Sequence, residues 1–322
     1  MADALLTRAV ELLQAGRLVA FPTETVYGLG ADAANPVAVG RIFQAKGRPP
    51  RHPVIVHLGS AAQLPQWAQR IPPAARQLAE AFWPGPLTLI LPRAPGVPDA
   101  VTGGQETVGL RVPAHPVALA LLQTFGGGIA APSANRFGRI SPTTADAVRA
   151  ELGDAVDLVL DGGPCSVGIE STIVDCSGEI PALLRPGHIR QEQLEERLGI
   201  PIASPSGSSP RASGTLATHY APLTPLLLVD RNTLLQRIKF TAGRDCGILA
   251  FAPPPPEFTE ALWIIAPDAP ADYARQLYGN LRRLDGSGCR LILVEIPPSA
   301  PPWTAVADRL GRAAAGTGPE AP

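Results

Sequence analysis

The sequence predicts an α/β fold with two domains, because three patterns recur along its 322 residues. Short apolar runs of strand length alternate with amphipathic stretches of helix length, which is typical of a sheet covered by helices. A stretch rich in Ser, Gly and Pro interrupts this alternation, which then resumes. We therefore expect a domain over 1–203 with a twisted mixed sheet, a flexible linker over 204–222 and a smaller Rossmann-like α/β domain over 223–322.

The first domain begins with a helix that Asp3 can cap and Gly16 ends. Asn35-Pro36 begins a second helix, which stops at Lys46-Gly47. Apolar runs predict strands over 18–21, 54–58, 87–91, 108–112, 158–160 and 172–175. Apolar residues at helical spacing predict helices over 73–83, 116–124, 143–152 and 190–198.

The second domain repeats the alternation over about 100 residues. Its predicted strands cover 226–229, 247–251, 262–266 and 291–296, and its predicted helices cover 232–239, 271–284 and 303–314. No G-x-G-x-x-G follows any of these strands, so dinucleotide binding in this domain has no support.

Composition excludes several classes of function. The chain has 27 basic and 28 acidic residues, and 27 − 28 = −1 is its net charge. It therefore lacks the excess of positive charge with which proteins coat RNA tightly. Four cysteines form no C-x-x-C pair, which indicates reduced, buried thiols. Apolar runs stay short of the ~18 residues of a membrane span, and no basic stretch precedes an apolar core at the start. We expect a soluble, cytoplasmic protein.

Small and polar residues cluster where predicted strands and helices end. The clusters are the hydroxyl-rich loop 21–30, Lys46-Gly47-Arg48, the stretch 130–135 with Ser141, the glycine-rich stretch 162–172, and Arg185. Any one of them alone also fits an ordinary turn, or cations beside a helix C-terminus. Together, ammonium, guanidinium and hydroxyl groups indicate recognition of phosphate and carboxylate.

The sequence contains neither a serine-hydrolase motif nor a zinc-binding motif. Neither Ser133 nor Ser171 lies in a G-x-S-x-G elbow, and the five histidines lack metal-ligand spacing. His57 also fits an ordinary buried histidine at the end of a strand. The pattern favours a transfer reaction in which positioning and charge neutralisation provide most of the catalysis.

Seven segments in order resemble the YrdC/Sua5 family over residues 5–200. They read FPTETVYGLGADA, KGRPPRHPVIVHL, FWPGPLTLIL, GLRVP, APSANRFGRISPT, GGPCSVGIESTIVD and LLRPG. The segment THYAP at 218–222 and the α/β pattern after it are similar to the long, two-domain Sua5 form. The resemblance implies a YrdC-like fold for the first domain and the Sua5 C-terminal fold for the second.

The resemblance implies an L-threonylcarbamoyladenylate synthase. Such enzymes condense L-threonine, bicarbonate and ATP into threonylcarbamoyl-AMP and pyrophosphate, for the N6-threonylcarbamoyladenosine at position 37 of tRNA. Mg²⁺ is expected to accompany ATP, held mainly by its phosphates rather than by a protein metal site. Expected partners are these small substrates and a downstream threonylcarbamoyl transferase machinery, with at most weak tRNA contact and no membrane.

The family's site positions map onto this chain residue by residue. The L-threonine-binding positions are Thr25, His57, Arg111, Ala131 and Ser171. The ATP-binding positions are Lys46, Arg48, His52, Ser133, Asn135, Ser141, Arg185 and Tyr220, with Lys46 and Arg48 expected to act in catalysis by neutralising phosphate charge. His52 departs from the family, which usually has Asn there. Because Tyr220 lies in the linker, we expect the linker to fold over the nucleotide as a lid.

Two rival functions remain open from the sequence. One is the carbamoyltransferase use of the same fold in hydrogenase-maturation proteins, although this chain begins almost directly with the YrdC-like pattern. The other is a non-enzymatic RNA-binding or ribosome-maturation module, which would need a local basic groove. Its candidate residues are Arg41, Lys46, Arg48, Arg51 and Arg139. Salt-dependent binding of bare tRNA would favour the module, and threonine-dependent pyrophosphate release would favour the synthase.

Overall fold

The computed structural model describes residues 2–240, 245–256, 258 and 262–317, which form two compact units. The first unit runs to residue 137 and resumes over 142–215. The second unit consists of residue 216 onward together with the short segment 138–141. The division at 215/216 falls inside the stretch 204–222 that the sequence predicts to be a linker.

The first unit is built on one sheet of nine strands, which confirms the mixed sheet expected from the sequence. The strand order is β7-β1-β2-β6-β3-β5-β4-β8-β9, with parallel and antiparallel pairs in the same sheet. The strands are β1 Val19–Phe21, β2 Gly28–Asp32, β3 Ile55–His57, β4 Leu87–Pro92, β5 Thr107–Arg111, β6 Ile129–Ala130, β7 Leu158–Val159, β8 Thr172–Asp175 and β9 Ala182–Arg185.

Helices of the first unit connect these strands. They are α1 Ala2–Gln14, α2 Pro36–Lys46, α3 Leu64–Trp67, α4 Pro73–Phe82, α5 Asp99–Thr102, α6 Pro116–Phe125, α7 Ala145–Leu152 and α8 Gln191–Leu198. The α2 helix has the boundaries that its sequence predicts. The Asn35 side chain accepts hydrogen bonds from the amides of Val37 and Ala38, and Gly47 ends the helix in the left-handed conformation, with φ 62°.

Strand β2 is the main element that the sequence did not predict. Its first residues, 28–30, were expected to be part of the polar loop 21–30, but residues 28–32 pair antiparallel with β1 and β6. Gly-Leu-Gly-Ala-Asp lacks the β-branched and aromatic residues that mark a strand. The glycines are needed for packing, because a Cβ built on Gly30 would lie 2.8 Å from the Phe21 ring and 2.9 Å from Ile129.

We expect the Gly30→Ala substitution to lower the free energy of unfolding by about 1–3 kcal/mol, the range for overpacking a core. The added methyl would meet a ring, a methyl group and the Val19 carbonyl oxygen at 3.0 Å, so the backbone itself must shift. The matched control is Gly40→Ala in α2, where nothing lies within 4 Å and alanine favours the helix. Urea titration of both variants checks the prediction; equal midpoints would contradict it.

The two faces of the large sheet differ in what covers them. One face packs into the main apolar core, to which it contributes Leu29, Val56 and Leu89. On the other face, α1 and α6 pack over the β1 side, and a second apolar cluster around Ile55, Ile90 and Ile173 lies towards β8. Successive residues of a strand point to opposite faces. The polar residues of the candidate site, described below, point to the same face as the cluster around Ile55, Ile90 and Ile173.

The second unit contains a four-stranded parallel sheet with the order β10-β13-β11-β12. Its elements are β10 Leu226–Val229, α9 Arg231–Phe240, β11 Cys246–Ala250, β12 Trp263–Ile265, α10 Pro270–Asp285, β13 Leu291–Glu295 and α11 Thr304–Ala315. All of them lie within a few residues of their predicted positions, and the parallel order confirms a small, separate α/β layer domain.

The described ranges contain neither a helix suited to spanning a membrane nor a cluster of metal-ligating side chains. No helix there has the combination of length and apolar composition that spanning a membrane requires. No group of three or more His, Cys, Asp or Glu side chains lies in a metal-holding arrangement in that part of the chain. The cysteines at 165, 176, 246 and 289 are free thiols.

Candidate functional site

A row of polar side chains crosses the face of the large sheet between its two apolar clusters. His57 and Arg111 are register partners at the ends of parallel strands β3 and β5. Thr88 on β4 continues the row, since its neighbour Leu89 pairs with Leu110. Register partners point to the same face of a sheet, so the strands themselves bring these side chains together. All three are buried.

Arg111 is the most constrained member of the row. Its guanidinium forms an ion pair with Glu24, with 2.7 Å between Nη2 and Oε1, and only 4% of the arginine side chain is exposed. Its Nη1 donates to the Thr25 hydroxyl at 2.9 Å, and its Nε donates to the Gly85 carbonyl at 3.2 Å. The second Glu24 oxygen accepts the amide of Ala114 at 3.1 Å. The guanidinium is therefore a buried positive group whose position is fixed from three directions.

The hydroxyl-rich loop before β2 fixes the Thr25 hydroxyl that contacts Arg111. The Thr23 hydroxyl donates to the Val26 carbonyl at 2.6 Å and accepts the amides of Thr25 and Val26 at 3.2 Å. The Thr25 hydroxyl lies 2.8 Å from that of Thr23. Because the single Thr23 proton is used on Val26, Thr25 donates to Thr23 and accepts from Arg111. The loop thus fixes which way the Thr25 hydroxyl points.

His57 is a neutral imidazole at physiological pH. Burial lowers its pKa to about 3, and the positive charge of Arg111 acts in the same direction. The ring lies edge-on to Phe21, with 5.9 Å between the ring centres. Neutral His57 therefore offers a hydrogen-bonding surface beside Arg111 and does not repel a cationic or neutral amine.

We expect the buried, neutral state of His57 to appear in the pH dependence of stability. The unfolded imidazole takes up a proton below its ordinary pKa of about 6.5, whereas the folded one resists protonation down to about pH 3. This contribution to stability is complete above pH 6.5 and is lost as the pH falls from 6.5 towards 3. Urea titrations between pH 4 and 8 should show a shallower acid loss in His57→Gln than in the parent chain. Parallel profiles would contradict the assignment.

Ser171 and Arg185 extend the row across β8 and β9. The Ser171 hydroxyl lies 2.8 Å from that of Thr88 and accepts a hydrogen bond from Nη2 of Arg185 at 3.1 Å. Arg185 also donates to the Ser171 carbonyl from Nε at 3.1 Å and from Nη2 at 2.9 Å. Arg185 is therefore held as a buried anchor of the Ser171 loop. Gly187 makes this possible, since a Cβ there would lie 2.4 Å from the Thr172 amide nitrogen.

Lys46 lies at the end of α2 and reaches the loop that follows β6. Its ammonium donates to the Ser133 carbonyl at 2.6 Å and to the Asn135 carbonyl. Only 2% of the residue is exposed, and burial lowers its pKa well below the ordinary value, with the charge of Arg48 adding to the effect. The Lys46 carbonyl in turn accepts the Phe137 amide at 2.7 Å. The hydrogen bonds of Lys46 therefore fix both its own position and that of the loop after β6.

Arg48 and His52 lie against the other end of this loop. Nη2 of Arg48 donates to the Pro53 carbonyl at 2.9 Å, and its guanidinium lies 5.7 Å from the centre of the Phe137 ring. The His52 ring packs on the same phenylalanine at 5.4 Å. Partial burial and the charges of Arg48 and then Arg211 lower the pKa of His52. His52 is thus placed beside Arg48 with its charged form disfavoured.

A short strap, residues 211–213, connects the two groups of site residues within the first unit. The Ser213 hydroxyl donates to the same Pro53 carbonyl that Arg48 uses, at 2.8 Å. The Ser213 carbonyl accepts Nη1 of Arg185 at 2.7 Å. Arg211 donates from Nη2 to the Gly103 carbonyl at 2.9 Å. This part of the predicted linker is therefore bound to the first unit rather than unattached.

The remaining predicted site residues fall into two places. The Ala131 amide donates to the Ile55 carbonyl at 2.9 Å, so Ala131 takes part through its backbone on the same sheet face. Ser141 and Tyr220 belong to the second unit and are buried. Tyr220 has φ 63°, a conformation that side chains other than glycine adopt rarely, and its ring lies 5.3 Å from the guanidinium of Arg309.

Two members of the site were missed at the level of sequence. Glu24 is buried and pairs with Arg111, yet in the sequence it is one acidic residue in a hydroxyl-rich turn. Thr88 is fully buried, but its sequence context is an apolar strand. A buried strand with one inward hydroxyl, and a carboxylate next to two threonines, are the signals that could have identified them.

Of the five cations proposed for a basic groove, Arg51 is exposed, and the other four have internal contacts or are buried. Lys46 and Arg48 are buried, with 2% and 7% exposure. Arg139 pairs with Asp285 at 3.3 Å, and Arg41 donates to the Gly16 carbonyl at 2.6 Å. These four cations are engaged in internal contacts, which reduces the positive charge that they can offer to phosphates.

Comparisons with known proteins match both units. The family model for Sua5, YciO and YrdC proteins, described as "Telomere recombination", matches residues 11–187. A second model, described as "Threonylcarbamoyl-AMP synthase, C-terminal domain", matches residues 189–315. The threonylcarbamoyl-AMP synthase of Bacillus subtilis is 40% identical, over 98% of this chain and 94% of its own length. That of Pyrococcus abyssi is 39% identical, over 95% and 92%.

A solved structure agrees with these matches. The crystal structure of P. abyssi Sua5 complexed with L-threonine superposes with a TM-score of 0.90 at 38% identity, and covers 98% of this chain and 95% of its own. At this identity and coverage, the similarity extends over both units rather than over one shared domain.

Proposed function

The chain belongs to the Sua5–YciO–YrdC family in its two-domain Sua5 form, and from this membership we propose how its residues carry out the family reaction. That reaction is threonylcarbamoyl-AMP synthesis, in which L-threonine, bicarbonate and ATP are condensed with release of pyrophosphate. The observation that carries the assignment of roles is the buried row His57–Arg111–Thr88, a carboxylate receptor in the middle of a sheet face.

L-Threonine binds, in this proposal, at Arg111. The guanidinium pairs with the substrate carboxylate, and the fixed Thr25 hydroxyl, the neutral His57 ring and the Ser171 hydroxyl surround the rest of the amino acid. Ala131 contributes only its backbone and a small side chain, which leaves room beside the row. The neutral state of His57 matters because the amine must be unprotonated to react.

The chemistry then proceeds in two steps. The threonine amine adds to CO₂ derived from bicarbonate and loses a proton, which gives a carbamate. A carbamate oxygen forms a bond to the α-phosphorus of ATP while the bond from that phosphorus to the β-phosphate oxygen breaks, and pyrophosphate leaves with the electron pair. Arg48 supplies positive charge to the leaving phosphates, and Lys46 holds the Ser133–Asn135 loop that contacts the nucleotide.

ATP contacts are proposed for Lys46, Arg48, His52, Ser133, Asn135, Ser141, Arg185 and Tyr220. Arg185 also donates to Ser171 and Ser213, so it fixes the Ser171 loop and the strap as well. We propose that Mg²⁺ enters as part of the MgATP substrate. Glu24, the carboxylate nearest the threonine receptor, is occupied by Arg111 and the Ala114 amide, which supports coordination by phosphate oxygens instead.

The product is a diffusible mixed anhydride, so a separate transferase must move the threonylcarbamoyl group to tRNA adenosine. Direct tRNA contact is expected to be weak at most, since the net charge is −1 and the cations named above are used internally. We further propose that the linker acts as a lid, which deletion of residues 204–322 would test through faster hydrolysis of the intermediate.

Pyrophosphate release tests the function directly. Purified full-length chain with MgATP should release pyrophosphate only when L-threonine and bicarbonate are both present, and mass spectrometry should find threonylcarbamoyl-AMP. Release without threonine would point to another carbamate or to simple nucleotide hydrolysis. Absence of release from folded protein, combined with salt-dependent binding of bare tRNA, would favour the RNA-binding module.

A further inference from the structure

The second unit holds a piece of chain that is distant from it in sequence. Residues 138–141 follow the Ser133–Asn135 loop, yet they group with residues 216 onward. The Ala221 amide donates to the Gly138 carbonyl at 2.9 Å, and Arg139 lies beside Ala221 as a parallel bridge partner. The segment is therefore packed alongside residues 221–224, directly after Tyr220.

Both segments are attached to the last turn of helix α10. The Asp285 carboxylate accepts the amides of Leu223 at 3.0 Å and Thr224 at 2.8 Å, and it pairs with Arg139 at 3.3 Å. One turn earlier, Arg282 donates to the Ile140 carbonyl. The end of α10 thus holds the segment 138–141 from one side and the segment 221–224 from the other.

The pair between Asp285 and Arg139 is positioned to be energetically significant. The side chains are 14% and 24% exposed, so the pair is less screened than a surface ion pair. The exposed Asp272–Arg275 pair on the same helix, at 2.8 Å, has side chains 52% and 51% exposed and joins two residues of one helix turn.

We propose that Asp285, acting with Arg139, is a positioning residue for ATP binding. Ser141 lies at the end of one held segment and Tyr220 immediately before the other, and both are ATP-contacting residues in the proposed function, on which this inference rests. Tyr220 also has a strained backbone, with φ 63°, and such a conformation persists only where the surroundings fix it. Asp285 fixes the chain three residues later, at Leu223.

The test compares Asp285→Asn, Arg139→Gln and the control Asp272→Asn in the full-length chain. We expect the first two to raise the KM and the Kd for ATP about 10-fold and to change the KM for L-threonine less than about 2-fold. The Asp272→Asn variant should match the parent chain. Arg139→Gln also serves where Asp285→Asn folds poorly, because Arg139 makes no contact with the 223–224 amides in the described residues.

Hydrogen exchange separates this inference from the function on which it rests. Peptides that cover 138–141 and 221–224 should exchange faster in Asp285→Asn than in Asp272→Asn, whatever reaction the protein catalyses. Faster exchange with an unchanged Kd for ATP overturns the positioning role. Equal rises in the KM of ATP and of threonine also overturn it, since they indicate a general structural defect. A parent chain that binds ATP without threonine-dependent pyrophosphate release overturns the proposed function, while the Kd comparison still decides this inference.

Discussion

Replacing Arg111 with alanine is expected to abolish measurable threonine-dependent pyrophosphate release, with a fall in kcat/KM of about 10³-fold or more. The substitution removes the proposed partner of the substrate carboxylate. It also leaves Glu24 buried without its cation, at 2.7 Å from the vacated guanidinium position. Loss of one partner of a buried ion pair costs about 3–5 kcal/mol of stability, so Arg111→Ala lowers both activity and the free energy of unfolding.

A double substitution separates these two effects. In Glu24→Gln/Arg111→Gln neither charge remains buried alone, so stability should recover most of the loss while activity stays abolished. Arg149→Ala is the control for removal of an arginine, because its partners Asp146 and Asp161 are 92% and 55% exposed and lie outside the row. Recovery of threonine-dependent activity in the double variant would show that Arg111 does not bind the carboxylate. Urea titration and steady-state kinetics on the same samples provide both readouts.

The sequence predicts the second unit and most of the first because those elements follow simple periodicities. Strand β13 begins with four consecutive apolar residues, which is typical of a buried strand. Helix α2 is preceded by Asn35 and followed by Gly47, two residues that commonly cap helices. Strand β2 was missed because its glycines are selected by the Phe21 ring that packs on them, a tertiary contact with no local pattern. The short stretch 138–141 could not be assigned for the same reason, since its partners are Ala221, Arg282 and Asp285.

The candidate site shows a similar division. Motif matching located Arg111, Thr25 and Lys46, because each lies in a segment that resembles the family. It did not indicate what each group contacts. Lys46 is expected to neutralise phosphate charge, and the structure adds that its ammonium donates to the carbonyls of Ser133 and Asn135. Hydrogen bonds to the backbone depend on where two distant loops meet, and residue identity alone does not specify that.

The contacts of Lys46 lead to the second large expected effect. We expect Lys46→Met to reduce kcat/KM for ATP by about 10²–10³-fold, because both the charge and the tether of the Ser133–Asn135 loop are lost. The buried Asn135 carbonyl and the half-buried Ser133 carbonyl lose this donor, and the buried one costs about 1–3 kcal/mol. Lys46→Arg should not restore activity, since the site is 2% exposed and the ammonium is already in hydrogen-bond contact with Ser133.

The matched control is Arg41→Met, on the same helix. Its guanidinium also donates to a backbone carbonyl, that of Gly16 at 2.6 Å, but it does not contact the Ser133–Asn135 loop in the described residues. It should lose some stability and keep the KM for ATP. If Lys46→Met instead lowers stability as Arg41→Met does and leaves the KM and kcat for ATP unchanged, the loop does not need its tether for catalysis. If Lys46→Arg is fully active, positive charge alone is sufficient, and the directional contacts with the two carbonyls are not what the reaction requires.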